Sequence, residues 1–305
     1  MGCTTPVVDA PPNIVLIYVD DLGWRDLGVQ GSRYYETPNV DLLAAEGMRF
    51  TDAYANAPNC APSRAALLSG QYAPRTGIYT VGAADRGPTE FRALVPVANR
   101  TELSLDVVTL SETLAEAGYA TGHAGKWHLG GEGSLPKDQG FKWSVAGDEQ
   151  GSPPDYFYPY KRGQRFLRDL EEGRENEYLA DRLVDESVLF IEREANNPFF
   201  LYLSHYSVHT PIQGKPELAA RYVDKAAADG QDNPTYAAMV QSVDEGVGRI
   251  IDTLDELGLA ENTVLIFYSD NGGFGPATSM VPLRGSKGML YEGGIRVPLI
   301  VRWPG

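Results

Sequence analysis

The chain has 305 residues, 43% of them hydrophobic, with 26 basic side chains against 41 acidic ones for a net charge of −15. That length suffices for one large α/β domain, or two small ones, with a substantial buried core. Scattered rather than periodic Gly and Pro exclude collagen-like and low-complexity chains, no apolar run approaches the ~20 residues of a membrane span, and the acidic balance argues against general nucleic-acid binding.

Only two cysteines occur, Cys3 and Cys60, so the chain is not a disulfide scaffold. The stretch from Met1 to Pro6 has no basic segment leading into an apolar one, so no signal peptide is read in it. An ordinary tail residue is the expectation for Cys3, with a lipoprotein processing remnant as the alternative. We read residues 1–12 as an N-terminal tail and 13–305 as one domain.

Along the chain, apolar runs alternate with amphipathic stretches, which predicts an α/β fold. Its core is expected to be a large mixed, mostly parallel β-sheet flanked by helices on both faces. Residues 13–19 form a continuous β-branched run, as in a strand buried on both faces. Thr37-Pro38 introduces a short capped helix over 39–46, and residues 109–117, closed by Gly118, form another. Residues 130–165 are rich in Gly, Pro and aromatics and read as a long loop or insertion near the site. Helical spacing recurs over 177–195 and 235–257, the latter stopped by Gly258. Short apolar strands are expected at 199–203, 264–268 and 297–301.

Three of these strands run straight into polar residues: Asp20-Asp21, the stretch from His205 to His209, and Asp270-Asn271. Ligands of open α/β sheets bind beyond the carboxyl ends of the strands, so the three clusters are expected to converge. Asp20, Asp21, Asp270 and Asn271 together offer hard oxygen ligands, which suit Ca²⁺ or Mg²⁺ better than zinc. Taken singly, each is equally at home in a helix cap or a turn.

Cys60-Ala61-Pro62-Ser63-Arg64 is the sharpest signal. Ser63 is expected to cap a short helix running to Ser69 with Gly70 as its stop, which sets Cys60 near the positive end of that helix. A lone Cys is ordinarily a small buried hydrophobe; a thiolate nucleophile with a His partner is the second option.

The Cys-x-Pro-Ser-Arg run followed by x-x-Leu-Leu-x-Gly resembles the signature of the type I sulfatases, within the alkaline phosphatase superfamily. The run from Gly118 to His128, which includes Gly125-Lys126-Trp127-His128, is similar to that family's second motif. Ser207-Val208-His209-Thr210-Pro211 resembles its His-x-Pro element, which favours His209 over His205. Arg284-Gly285-Ser286-Lys287-Gly288 resembles its lysine loop. The one departure is Ser69, where the family usually has Thr, Ala or Arg. These matches follow the family order from residue 13 to the end of the chain.

The resemblance implies an arylsulfatase-like hydrolase of a sulfate monoester, with a sulfated carbohydrate favoured as substrate and a fold like that of alkaline phosphatase. It implies that Cys60 is oxidised to formylglycine by a formylglycine-generating or equivalent maturation enzyme, the hydrated aldehyde acting as nucleophile. It further implies a Ca²⁺ site, with Mg²⁺ the alternative, formed by Asp20, Asp21, Cys60, Asp270 and Asn271. Lys126 and Lys287 would hold the sulfate, Arg64 would stabilise the hydrated aldehyde, and Asp270 would take up the attacking proton. His209 would protonate the leaving alcohol and His128 would accept the proton that lets sulfate depart. The 130–165 loop would read the sugar, through Phe141, Trp143, Tyr156, Phe157, Tyr158 and Tyr160 unless these pack in the core. A smaller C-terminal subdomain is expected to be missing, and a periplasmic or extracellular location is expected. Two rivals stand beside this reading: a phosphodiesterase or phosphonate monoester hydrolase of the same superfamily, and a non-catalytic sulfated-glycan binding module in which Cys60 stays a thiol.

Overall fold

The computed structural model describes residues 11–85 and 87–304. Cys3, and with it the choice between tail residue and lipoprotein remnant, lies outside the described residues. In chain order the strands are β1 (Asn13–Val19), β2 (Met48–Phe50), β3 (Ala120–Gly125), β4 (Trp143–Val145), β5 (Lys161–Arg162), β6 (Arg165–Phe166), β7 (Phe199–Ser204), β8 (Thr263–Ser269) and β9 (Leu299–Arg302). The helices are α1 (Pro38–Glu46), α2 (Cys60–Ser69), α3 (Ala73–Thr76), α4 (Leu110–Glu116), α5 (Leu179–Glu194), α6 (Pro216–Ala219), α7 (Pro234–Glu256) and α8 (Glu292–Ile295).

Seven strands form the main sheet in the order β2-β9-β8-β1-β7-β3-β4. The run β8-β1-β7-β3-β4 is parallel throughout, and antiparallel β9 joins β2 to its edge. β1 is central, and its alternation feeds two separate cores. Val15, Ile17 and Val19 pack with residues of α5 and α7, whereas Leu16 and Tyr18 pack with Ala61, Ala65 and Leu68 of α2. Burial on both faces is the reason its sequence is apolar throughout rather than alternating. No helix among the described residues is long and apolar enough to cross a membrane.

The long helices and the apolar strands fall within two residues of their expected bounds, and α4 opens on a capping box between Thr109 and Glu112. Thr37, by contrast, does not cap α1: its hydroxyl accepts from Gly28 N–H and donates to Asp41. Asp244 of α7 takes the α1 amides of Asn39 and Val40 instead. Ser63 is not a cap either, because α2 begins at Cys60 and Ser63 lies inside it, bonded to the Tyr18 hydroxyl.

The 130–165 segment is less of a loop than its composition predicts. It holds β4, which pairs with β3, and the β5 strand of a small ribbon with β6. Phe141, Tyr156 and Tyr160 are buried, and Trp143, Phe157 and Tyr158 pack against the core. Phe141, Tyr156 and Tyr160 thus take the core role, whereas Trp143, Phe157 and Tyr158 pack against the core and stay partly exposed.

β3 carries the Ala-Thr-Gly-His-Ala-Gly run, whose glycines hide it from any search for β-branched residues. Gly125 ends it with φ +109°, where an added Cβ would stand 2.0 Å from the Ser204 carbonyl oxygen. The close approach of β3 to β7 therefore requires glycine. Gly125→Ala is expected to cost about 3 kcal/mol or more of stability, read as a lower urea midpoint; an unchanged midpoint would mean the two strands separate freely.

Candidate active site

The carboxyl ends of β1, β7, β8 and β3 all lie on one edge of the parallel sheet, and each strand runs out into a polar segment. β1 delivers Asp20 and Asp21, β8 delivers Asp270 and Asn271, β3 delivers Lys126 and His128, and β7 delivers His205 and His209. Helix α2 brings Cys60 and Arg64 to the same edge, and Lys287 arrives on a loop. His205 turns away from this cluster: it is fully buried, neither ring nitrogen has a hydrogen-bond partner, and burial pushes its pKa down to about 4.

The carboxylates bind one another into a unit. Asp21 N–H donates to Asp270 Oδ1 at 3.0 Å, and Asn271 Nδ2 donates to Asp21 Oδ1 at 2.8 Å. Asp21 adopts φ +63°, uncommon outside glycine, which turns the chain sharply off β1. Lys126 Nζ donates to Asp20 Oδ2 and Lys287 Nζ to Asp21 Oδ2, each at 2.6 Å.

Charge and burial compete at every group. Desolvation raises the Asp20 pKa in spite of Lys126. At Asp21 desolvation is overcome by Lys287 and His209, and the pKa falls. Asp270 is pushed up to about 7 by burial and by the neighbouring Asp20 charge.

Cys60 is the first residue of α2 and is 1% exposed, with Sγ 4.0 Å from Asp21 Oδ1. Burial opposes its ionisation, yet Lys126 and Lys287 outweigh that cost and bring the thiol down to about 6. The helix N-terminus adds free amides to this positive surrounding. The thiol therefore sits where an anion is stabilised.

His209 donates from Nδ1 to its neighbour's carbonyl, Thr210 O, at 2.7 Å, which leaves Nε2 facing Asp21 Oδ2 at 3.6 Å. Burial works against its charge, but Asp20 and Asp21 prevail and its pKa rises. His128 goes the other way: burial and the charges of Lys126 and Arg64 hold it well below the ordinary imidazole value, and it is neutral. The two histidines are thus shifted in opposite directions within one site.

Arg64 sits behind the site rather than in it. Its guanidinium is fully buried, donates to Lys126 O, Ser204 Oγ and Asp270 Oδ2, and lies 5.1 Å over the Tyr18 ring. Among the described residues none of its hydrogen bonds reaches Cys60. Its contacts tie Lys126, Ser204 and Asp270 together behind the site. Ser204 and Tyr18 share that work, and sequence reasoning missed both, because a serine ending a strand and a tyrosine within one carry no motif.

The cluster could hold a metal ion. Asp20, Asp21, Cys60 and His209 place one ligand atom each within 4.8 Å of one another. Asp20 Oδ1 and Asn271 Oδ1 are buried acceptors with no hydrogen-bond partner among the described residues. Orphaned buried oxygens are costly, and a cation binding them removes that cost. Of the expected ligands, Asp20, Asp21 and Cys60 are clustered directly, Asn271 is bonded to Asp21, and Asp270 is tied to Asp21 N–H and Arg64.

A cysteine at a helix N-terminus, flanked by two lysines and a cluster of carboxylates, stands at the edge of a parallel α/β sheet. The chain belongs to the sulfatase family, whose family model matches residues 12–305. It is 36% identical to a sulfatase of Formosa agariphila over 96% of this chain and 64% of that protein. Over 97% of the chain it is 35% identical to the N-acetylgalactosamine-6-sulfatase of Homo sapiens, covering 57% of that enzyme. A solved structure of Ps i-CgsB with k-i-k-neocarrahexaose matches at 36% identity and a TM-score of 0.80, over 96% of this chain and 66% of that one. The chain thus spans less than two thirds of the length of these relatives.

Proposed function

We propose that this chain carries the catalytic site of a sulfuric ester hydrolase acting on a sulfated carbohydrate. One observation supports the reading most: Cys60, at the start of α2, lies among Asp21, Lys126 and Lys287 at the edge where four strands end. Sulfate esters resist attack because negative oxygens shield sulfur, so fixed positive charge and a positioned nucleophile are what catalysis requires.

Cys60 would be converted to formylglycine by a maturation enzyme, and the modification supplies the nucleophilic hydroxyl. Asp20, Asp21, Asp270 and Asn271 would hold Ca²⁺, or Mg²⁺ as the alternative, which supplies positive charge beside the sulfate oxygens. Lys126 and Lys287 bind the sulfate oxygens from the protein side. Asp270, brought near neutrality, is suited to taking a proton from the attacking group. His209, whose pKa is raised by Asp20 and Asp21, would protonate the leaving alcohol, and His128, whose pKa is lowered by burial, would accept the proton whose loss frees the product. The relatives' names favour sulfated glycans, and a periplasmic or extracellular location belongs to the same reading.

The test compares sulfate release from sulfated mono- and oligosaccharides with hydrolysis of a phosphate diester, alongside mass spectrometry of the Cys60 peptide. The reading expects sulfate release and a peptide lighter than the thiol form; faster turnover of the diester, or an unmodified thiol with no turnover, sinks it. The cation has its own readout. At a Ca²⁺ concentration about a hundredfold above Kd the chain should gain ~2.7 kcal/mol of stability, seen as a raised thermal midpoint. Asp21→Asn should lose most of that gain, and an equal calcium response in this variant would place the cation elsewhere.

A further inference from the structure

One buried carboxylate beside the site takes no part in the catalytic reading. Asp26 is fully buried and lies on the segment that leaves β1 just after Asp20 and Asp21. Its Oδ2 accepts from Gly23 N–H at 2.8 Å and from the Tyr236 hydroxyl of α7 at 2.6 Å. Its Oδ1 accepts from Gln231 Nε2 at 3.1 Å and from the Thr278 hydroxyl at 2.7 Å. No Lys or Arg pairs with it among the described residues. Burial raises its pKa, and all of these donors work against that rise.

Two of the donors, Gly23 and Thr278, lie on the segments that carry the acidic cluster. Asp21, at φ +63°, turns off β1 in a conformation that needs outside support. The support is close at hand. The Tyr236 hydroxyl that donates to Asp26 also lies 3.3 Å from Asp21 O, and Gly23 N–H closes the far side of the turn on the same carboxylate oxygen. Thr278 belongs to the loop over 271–287, within which Lys287 N–H donates to Gly273 O at 3.0 Å. Tyr35 holds Thr278 from behind, donating to its hydroxyl at 3.0 Å. A carboxylate buried without a cation is costly, and packing alone would not call for one. Here its hydrogen bonds set one separation between the segment bearing Asp20 and Asp21 and the loop bearing Asn271 and Lys287.

We propose that Asp26 is a positioning residue of the cation site, holding the Asp21 turn and the loop after Asn271 in the one arrangement where their oxygens meet a single ion. The inference rests on the cation reading above and deepens it: Asp26 touches no ion itself and acts through Tyr236, Gly23 and Thr278. Asparagine, its neutral isostere, cannot stand in for it. Each carboxylate oxygen faces one N–H donor and one hydroxyl, and a hydroxyl can turn round to accept. Whichever way the asparagine amide is placed, however, its NH2 confronts Gly23 N–H or Gln231 Nε2. Groups that support a metal's ligands from behind typically govern ~10–100-fold of its affinity.

Calorimetric titration of the purified chain with Ca²⁺ tests this, because binding needs no turnover. Asp26→Asn is expected to weaken calcium binding about tenfold or more, and Tyr236→Phe to weaken it by a smaller factor. Asp244→Asn is the control. That carboxylate is also buried and also fully engaged, by Asn39 and Val40 of α1, but none of its hydrogen bonds reaches the acidic cluster. Its variant should lower the thermal midpoint of the calcium-free chain and leave the calcium affinity within about twofold. An undiminished affinity in Asp26→Asn, or an equal loss in Asp244→Asn, overturns the proposal. Should Asp26→Asn fail to fold, an undiminished affinity in Tyr236→Phe overturns it instead. The unaltered chain separates the two ideas. If it binds calcium and the Asp26 variant binds equally well, the positioning role alone falls; if it binds none, the cation reading falls and takes the proposal with it.

Discussion

Cys60→Ala is expected to abolish sulfate ester hydrolysis, with a loss on the order of 10⁴-fold or more, while leaving the fold intact. Removing a nucleophile costs far more than removing any one group that assists it. Alanine can be neither oxidised to an aldehyde nor ionised, and no other side chain among the described residues offers a nucleophile at that point. The side chain is small and 1% exposed, so its truncation leaves only a minor cavity in a pocket walled by polar groups. The thermal midpoint should therefore move little. Since Lys126 and Lys287 lower the thiol pKa through their charge, the same two lysines remain able to bind a sulfate ester in the variant. Undiminished substrate binding with turnover lost would place the effect on the chemical step. Retention of more than about 1% of the rate would show that attack starts from another atom.

The parallel sheet and its catalytic edge were legible because their signals are local. The apolar run of β1 followed by Asp20-Asp21, and that of β8 followed by Asp270-Asn271, state strand and site in a few residues each. β3 was not legible, since Gly122 and Gly125 are selected by close approach to Phe190 and to β7, a tertiary demand that overrides strand propensity. Ser63 was misread for a related reason. It has the chemistry of a cap, but α2 starts three residues earlier, at Cys60, and the hydroxyl turns to Tyr18 instead. The aromatics of 130–165 could not be assigned from composition, because a ring suits a sugar and a core equally well. The support behind the site was the least visible part. Ser204, Tyr18 and the backbone carbonyl of Lys126 converge on Arg64 only once four separate segments are folded together.

That support makes Arg64 the second position where a large effect is expected. Arg64→Met should destabilise the chain by about 3–5 kcal/mol, the cost of breaking a buried ion pair by removing one partner. The guanidinium lies 3.0 Å from Asp270 and 3.9 Å from Asp20, all of these side chains fully buried. Asp270 already stands near 7 with Arg64 holding it down; without that charge it rises further and is protonated at neutral pH. The carboxylate would then be a poor proton acceptor and a poor cation ligand, so turnover and the calcium-dependent gain in stability should both fall. Arg64→Lys should restore only part of the stability, since one ammonium cannot span Lys126 O, Ser204 Oγ and Asp270 Oδ2 from the same plane. A second substitution separates charge from packing. In Arg64→Met/Asp270→Asn the buried carboxyl left without its cation is replaced by a neutral amide, and urea denaturation should recover a substantial part of the lost stability without any return of activity. If the double variant is as unstable as the sum of its parts, the ion pair is not what Arg64 contributes, and its hold on the Lys126 and Ser204 backbone segment is.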